Sequence, residues 1–345
     1  MTRAFRETDT PRPARSALGL ATALAVSTLT IAPALAADIT MMVAHDMPET
    51  SPHHLATVRF KDLLAERTEG RIDVQIFPNS LLGASIQVTE QVQAGAIQAA
   101  VLPTAWIAPI APELTVLDLP FLFPSRAVAH AVIDGPVGAQ ILAPLGRVGL
   151  TGLGYWESGF KQFTGNFPIR TPEDFSGHKI RAMPSQVIQE QFRAFGASPT
   201  QIAFSELFNA LQQGVVDGQE NPINSITAAK LYEVQPYITL SDHGYLGYVF
   251  FVNSAFFDGL SAEDQTAMRA SVAEARDYER QLIEQNEATQ LETFKAAGVT
   301  IIPLTDAERA AFRAAAQPVY AWYRAQNGDT ALDDLEAAIS AQESD

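Results

Sequence analysis

The chain has 345 residues, 47% of them apolar and 18% charged, with no cysteine and a formal net charge of −16. At about 150 residues per domain this length suggests two domains, and the apolar content suits a packed core rather than disorder. The missing cysteines exclude disulfides, thiol catalysis, Cys-ligated zinc, iron–sulfur clusters and a lipidated N-terminal cysteine. The acidic balance argues against a nucleic-acid partner, and an anionic ligand would need its cations gathered at one site.

The N-terminus reads as an address. Arg3, Arg6, Arg12 and Arg15 precede an uncharged Ala/Leu-rich run from Ala17 to Ile31, and Ala34-Leu-Ala36 is a small-x-small cleavage pattern. We therefore expect residues 1–36 to be a cleaved secretory signal peptide and the product to lie in a periplasm. The apolar run is shorter than the ~20 residues of a membrane span. Removing it leaves 19 basic and 37 acidic residues, net −18.

Ile39–Ala44 reads as a buried strand, and Ser51-Pro52 as a helix start with Ser capping and Pro in the first turn. Ala56, Phe60, Leu63 and Leu64 form one helical face, and Ile72, Val74 and Ile76 alternate with polar residues as in a strand. This strand–helix–strand order predicts a parallel sheet flanked by helices. Gln93-Ala-Gly95 leading to Leu102-Pro103 is echoed by Gln212-Gln-Gly214 leading to Asn221-Pro222, always 119 residues apart. In each copy a helix should end at the Gly and a short strand should lead into a Pro-bearing loop. A true repeat would set the loops at 101–106 and 219–224 facing each other across a cleft; chance similarity of two helix–turn–strand units is the alternative. Ser261 with Asp264 caps a helix reaching Gly298, about 50 Å long and enough to run along two lobes. A strand over Val299–Leu304 and a helix from Thr305 to about Gln326 follow.

The chemistry lies between residues 155 and 250. Lys161 sits among aromatics in Gly154–Thr164, and Arg181 sits on a strand that runs into a helix at Ser185. A guanidinium on a covered strand needs a partner, either a ligand carboxylate held by two parallel hydrogen bonds or an internal Asp or Glu. The sequence offers no nucleophile elbow, His-Glu-x-x-His or P-loop, so we expect no enzyme and no cofactor. His45, Asp46, Glu49, His53 and His54 are too irregularly spaced for one metal, and a solvated helix start accounts for them better.

Gly159-Phe-Lys-Gln-Phe-Thr164, Pro172-Glu-Asp-Phe-Ser-Gly177, Lys179-Ile-Arg181, Gly196-Ala-Ser-Pro199 and Tyr232-Glu-Val-Gln235 occur in order. With them stand Ala203-Phe-Ser-Glu-Leu-Phe-Asn-Ala-Leu-Gln-Gln-Gly-Val-Val-Asp-Gly-Gln-Glu-Asn-Pro222 and Asp242-His-Gly-Tyr-Leu-Gly-Tyr248. Phe77-Pro-Asn-Ser80, Leu82-Gly83 and Leu119-Pro-Phe-Leu-Phe123 extend the pattern into the first half. Together these resemble the solute-binding subunits of TRAP (tripartite ATP-independent periplasmic) transporters, of the DctP type, over the whole mature chain. The resemblance implies an α/β, two-lobed periplasmic solute-binding fold with a ligand cleft between lobes and a long helix crossing both. We expect lobe I over 37–158 plus 247–286 and lobe II over 159–246 plus 287–345.

By the same resemblance, Arg181 binds the ligand carboxylate, Asn221 contacts the same region, Phe204 stacks on the ligand, and Lys161 stands where many members have a second Arg. Lys161 and the Asp242–Tyr248 stretch look most like C4-dicarboxylate binders, taking malate, fumarate or succinate; keto, hydroxy, aromatic and sugar acids remain open. Sialic-acid-type members carry an acidic residue near the position of Pro103, and its absence argues against an amino-sugar or polyol. Chemistry and cleft position add four residues, each with a structural alternative. Ser185 suits an anion at a helix start or simply caps it. Trp106 faces the cleft or fills the core. His45 contacts ligand or is a satisfied structural histidine. Tyr245 offers a hydroxyl or packs. His243 is expected to order hydrogen bonds behind the site. The implied partners are a small organic acid and the small and large TRAP membrane subunits, or a sensor in their place, with no nucleic acid, no membrane span of its own and a monomeric state.

Overall fold

The computed structural model describes Thr2 and residues 38–344. The expected signal peptide, Thr2 apart, lies outside the described residues. In chain order the elements are β1 (Ile39–His45), α1 (Pro52–Arg67), β2 (Ile72–Phe77), α2 (Ser85–Gln93), β3 (Ala99–Pro103), α3 (Thr104–Ile107), α4 (Arg126–Ile133), α5 (Pro136–Leu142) and β4 (Leu150–Gly165). Then follow β5 (Lys179–Ala182), α6 (Gln186–Ala194), β6 (Ser198–Gln201), α7 (Phe204–Gln212), β7 (Gly218–Pro222), α8 (Ile223–Ala228) and β8 (Tyr237–Asn253). The C-terminal part is α9 (Ser254–Asp258), α10 (Ala262–Ala296), β9 (Thr300–Pro303), α11 (Asp306–Asn327) and α12 (Thr330–Ser344).

Local chemistry sets the boundaries. Ser51 Oγ accepts the His54 N–H at 3.2 Å, with Pro52 inside the first turn of α1. Ser261 Oγ accepts the Asp264 N–H at 3.0 Å at the start of α10. The 119-residue echo recurs element by element: α2 and β3 map onto α7 and β7, and α3 starts where α8 does. Gly95 and Gly214, equivalent in the echo, both take left-handed φ of 77° and 69°, which a glycine adopts without strain.

The strands form one sheet of order β2-β1-β3-β8-β4-β7-β5-β6, with β9 beside β8. The outer triads β2-β1-β3 and β6-β5-β7 have the same arrangement on either side, and the pairings inside β2-β1-β3 and of β5 with its neighbours are parallel, as the strand–helix–strand pattern predicted. The centre departs from the expected all-parallel sheet: β4 and β8, 16 and 17 residues long, run antiparallel to each other and to β7 and β3 respectively. Register shifts at 152/154, 157/159 and 161/163 bend this central pair. The 101–106 and 219–224 segments are strand ends passing into α3 and α8, not open loops.

The core follows that plan. Phe60, Trp156 and Phe250 pack under α1, while Phe163, Phe175, Phe192 and Phe312 fill the other half. The first part of α10 lies on α1 and β4, and Phe294 near its end joins the cluster around Leu207, Ile226 and Ile238. The helix thus spans both halves. Midway along it, the buried Glu279 accepts the Glu157 N–H of β4 at 2.9 Å. The final helix α12 packs against α4 and α5. Among the described residues no single helix is long and apolar enough to cross a membrane.

Candidate functional site

The carboxyl ends of β1, β3, β5 and β7 converge from the two triads, the position where open α/β sheets take ligands. β1 ends at His45-Asp46, β3 leads to Trp106, β5 carries Arg181 and leads to Ser185, and β7 ends at Glu220-Asn221. The two triads meet where the Arg181 guanidinium of β5 lies 5.8 Å from the centre of the Trp106 ring.

Arg181 is the centre of this group. Its side chain is 1% exposed. Its neighbours on β5, Ile180 and Ala182, enter the core cluster, as the strand alternation predicted. Nε donates to the Ile202 carbonyl at 2.9 Å, and Cζ lies 5.8 Å from the centre of the Trp106 ring. Nη2 is buried with no hydrogen-bond partner, and among the described residues no carboxylate lies within 4.0 Å of the guanidinium. Burial lowers its pKa to about 10, against the pull of Glu220 and Asp46, so it remains charged at neutral pH. The geometry supplies no internal ion pair for Arg181, the alternative that the sequence left open.

Lys161 is also fully buried, but it is committed. Its Nζ donates to Glu220 Oε1 at 2.6 Å. The other Glu220 oxygen accepts His243 Nε2 at 2.7 Å and the Gln191 amide at 3.0 Å. Burial opposes ionisation of Glu220, yet Lys161 and His243 hold its pKa at about 2. His243 is stacked on Phe163 with ring centres 3.7 Å apart and is bonded to Ser241 through Nδ1 at 2.7 Å. It orders the hydrogen bonds around Glu220. The Lys161 charge is thus balanced inside the protein.

The other expected residues divide. Trp106 is 5% exposed, joins the core cluster and lies against Arg181. Ser185 occupies the N-cap of α6 but makes no capping bond, and its buried hydroxyl lies against the Asp118 carboxyl instead. Asn221 is buried and donates its amide to Gln219. Phe204 is half-buried in the first turn of α7, two residues past the carbonyl that anchors Arg181 Nε, and packs between two apolar clusters. His45 bonds His54 through Nε2 at 3.1 Å, with Nδ1 unpartnered; burial and the neighbouring His54 and His53 lower its pKa to about 3, so it is neutral. Tyr245 is not part of the Arg181 group: its hydroxyl donates to Glu157 at 2.6 Å and its ring packs on Phe123 and Phe160.

The sequence reading missed Asp118 and set Asp46 aside with a solvated helix start, whereas His45, Asp46 and His53 are all buried. Asp46 accepts from Ser85 Oγ at 3.1 Å through Oδ2, while Oδ1 is buried without a partner. Asp118 lies beside Lys161, Ser185 and Thr104, its Oδ2 also unpartnered. Burial raises both to about 6, partly offset by Ser85 for Asp46 and by Lys161 for Asp118. The direct signal for Asp46 was its place one residue beyond a strand that leads to the cleft; Asp118 gave none, since its partners are distant in sequence. Chemically the site offers, among the described residues, one buried cation without an ion pair, an aromatic face, the Ser185 hydroxyl, and two buried acids besides the Glu220 that balances Lys161.

The chain matches the family model DctP, described as bacterial extracellular solute-binding protein, family 7, over residues 43–327. It is 37% identical over 300 residues to the C4-dicarboxylate-binding periplasmic protein DctP of Rhodobacter capsulatus, covering 86% of this chain and 90% of that one. Among solved structures, a TRAP periplasmic solute-binding protein of Sulfurospirillum deleyianum with bound succinate is similar at 32% identity and a TM-score of 0.83, covering 88% and 99% of the two chains. The sugar-acid-binding protein DctPAm of Advenella mimigardefordensis, in complex with galactonate, is similar at 33% identity and a TM-score of 0.85, covering 88% and 98%.

Proposed function

The chain belongs to the DctP family of bacterial extracellular solute-binding proteins, and from that premise we propose that it captures a small organic carboxylate on Arg181 for TRAP membrane subunits. Proteins of this family are receptors, not enzymes. The observation that carries the reading is the buried Arg181 guanidinium, with Nη2 unpartnered and, among the described residues, no carboxylate within ion-pair reach. An isolated buried charge is costly, and a ligand carboxylate relieves that cost with charge-assisted hydrogen bonds. Trp106 covers the guanidinium face, and Ser185 and Asn221 supply polar contacts beside it.

A thermal-shift screen with small acids tests this. A ligand at 100 times its dissociation constant adds about 2.7 kcal/mol, a rise of several degrees. The rise should vanish in Arg181→Ala. A rise retained by that variant, or none with any acid, counts against the reading.

A C4-dicarboxylate is the second reading, favoured by the R. capsulatus relative and by the succinate bound to the S. deleyianum protein. It needs a second cation, and Lys161 is balanced by Glu220. The galactonate bound to the A. mimigardefordensis protein favours a single carboxylate. Malate, fumarate and succinate therefore belong in the screen beside sugar and hydroxy acids.

The remaining parts of the reading follow the family. Residues 1–36 would direct the chain to the periplasm and be removed. The lobes would be 37–158 plus 247–286 and 159–246 plus 287–345, except that the packing of α12 on α4 and α5 favours giving 330–344 to lobe I. The protein would close as a monomer about the long β4–β8 pair, bringing Trp106 and Asp46 of one lobe onto Arg181 and Asn221 of the other.

A further inference from the structure

We propose that Asp46 sets the ligand class: its free carboxylate oxygen accepts a hydrogen bond from a hydroxyl of the bound acid, so the receptor prefers hydroxylated monocarboxylates to dicarboxylates and to unsubstituted acids. This rests on Arg181 as the carboxylate anchor.

Asp46 follows β1 in one triad of strands and Arg181 lies on β5 in the other; the Trp106 ring after β3 lies against Arg181, and Asp46 and Arg181 are near enough to act on each other's charge. They interact electrostatically, yet no ion pair joins them within 4.0 Å. Each holds one firm bond to its own lobe, Asp46 Oδ2 to Ser85 and Arg181 Nε to Ile202. Each also has one buried polar atom left over, Asp46 Oδ1 and Arg181 Nη2. A molecule that satisfies both must present an anionic acceptor at one end and a neutral donor at the other. A hydroxy acid has that pattern, with its carboxylate on Nη2 and its hydroxyl on Oδ1.

The charge balance points the same way. Glu220 neutralises Lys161, so among the described residues Arg181 is the buried cation of the group with no carboxylate in contact. A second ligand carboxylate would face Asp46 and Asp118 without a free cation, and both acids are buried. Asp46 therefore repels what a C4-dicarboxylate adds and rewards what a hydroxyl adds, the combination of attraction and exclusion that gives selectivity. At neutral pH Asp46, with its pKa near 6, is mostly ionised, which leaves Oδ1 an acceptor for a donor hydroxyl.

The test is calorimetric titration of the purified protein, freed of bound ligand by unfolding and refolding. The probes are D-galactonate, D-erythronate, 2-hydroxybutanoate, butanoate and succinate. At least one hydroxylated acid should bind tenfold or more tightly than butanoate and succinate. Asp46→Asn, which removes the charge and keeps the shape, should narrow that margin over succinate at least fivefold. The proposal is overturned if succinate or butanoate binds as tightly as every hydroxylated acid, or if Asp46→Asn leaves the margin unchanged. Either result leaves Arg181 as anchor intact. Failure of all five acids to bind instead overturns the carboxylate reading and this inference together. The ranking on the native chain decides the matter alone if Asp46→Asn does not fold.

Discussion

Replacing Asp46 by Asn in the ligand-free protein should increase its stability, and only above a particular pH. Burial raises the Asp46 carboxyl from 3.8 to about 6, with Ser85 and Arg181 partly opposing the shift. The folded state thus holds this proton more tightly than the unfolded chain does. Below pH 4 both states are protonated and the buried acid costs nothing. Between pH 4 and 6 the unfolded chain ionises first and stability is lost. Above pH 6 the full penalty stands, about 3 kcal/mol for a displacement of this size. Asn has the same shape and no charge, so Asp46→Asn recovers up to about 3 kcal/mol, less what the weaker bond to Ser85 gives back. Chemical denaturation at pH 4, 5, 7 and 8 reads this directly, and a thermal melt should rise by about 4–6 °C at pH 8. An equal gain at pH 4 and pH 8, or none at pH 8, would refute the burial argument. A residue that weakens the empty protein while serving its ligand is a common stability–function compromise.

Lys161→Met strands the buried Glu220 and should cost about 3–5 kcal/mol in urea denaturation, whereas Lys161→Met with Glu220→Gln should recover much of the loss. Gly244→Ala places a methyl 2.6 Å from Lys161 Cε, so it should destabilise by about 1–3 kcal/mol through the same ion pair. Glu279, whose carboxyl burial raises well above the usual carboxylate range, carries the same kind of penalty as Asp46; Glu279→Gln should therefore raise the unfolding free energy at pH 7 and gain little at pH 4, read by urea denaturation at the two pH values. Arg181→Ala should weaken binding of the preferred acid by about 2–5 kcal/mol, roughly 30- to 5,000-fold by calorimetry.

Much of this architecture is local enough to read from residues. The Ser51-Pro52 and Ser261/Asp264 starts involve atoms three residues apart, and the 119-residue echo survives because each copy needs the same glycine at a left-handed φ. Arg181 stood out because a guanidinium among Ile180 and Ala182 has few explanations. The central antiparallel strands were not visible. Leu150–Gly165 carries four glycines and three register shifts, which erase the two-residue alternation. The commitment of Lys161 to Glu220 joins residues 59 apart, and that of Tyr245 to Glu157 spans 88. Neither pairing leaves a local pattern. Asp46 and Asp118 were passed over for the same reason: their meaning comes from the opposing strand triad. The family resemblance pointed to Arg181 and Asn221 as expected ligand contacts, but the charge balance around them needed coordinates.

A crystal structure of the protein with the tightest-binding acid from the calorimetric panel tests the central claim most directly. The account predicts a ligand carboxylate oxygen within about 3 Å of Arg181 Nη2, under the Trp106 ring. A ligand whose carboxylate lies elsewhere, with Nη2 bonded to a protein oxygen instead, would contradict it.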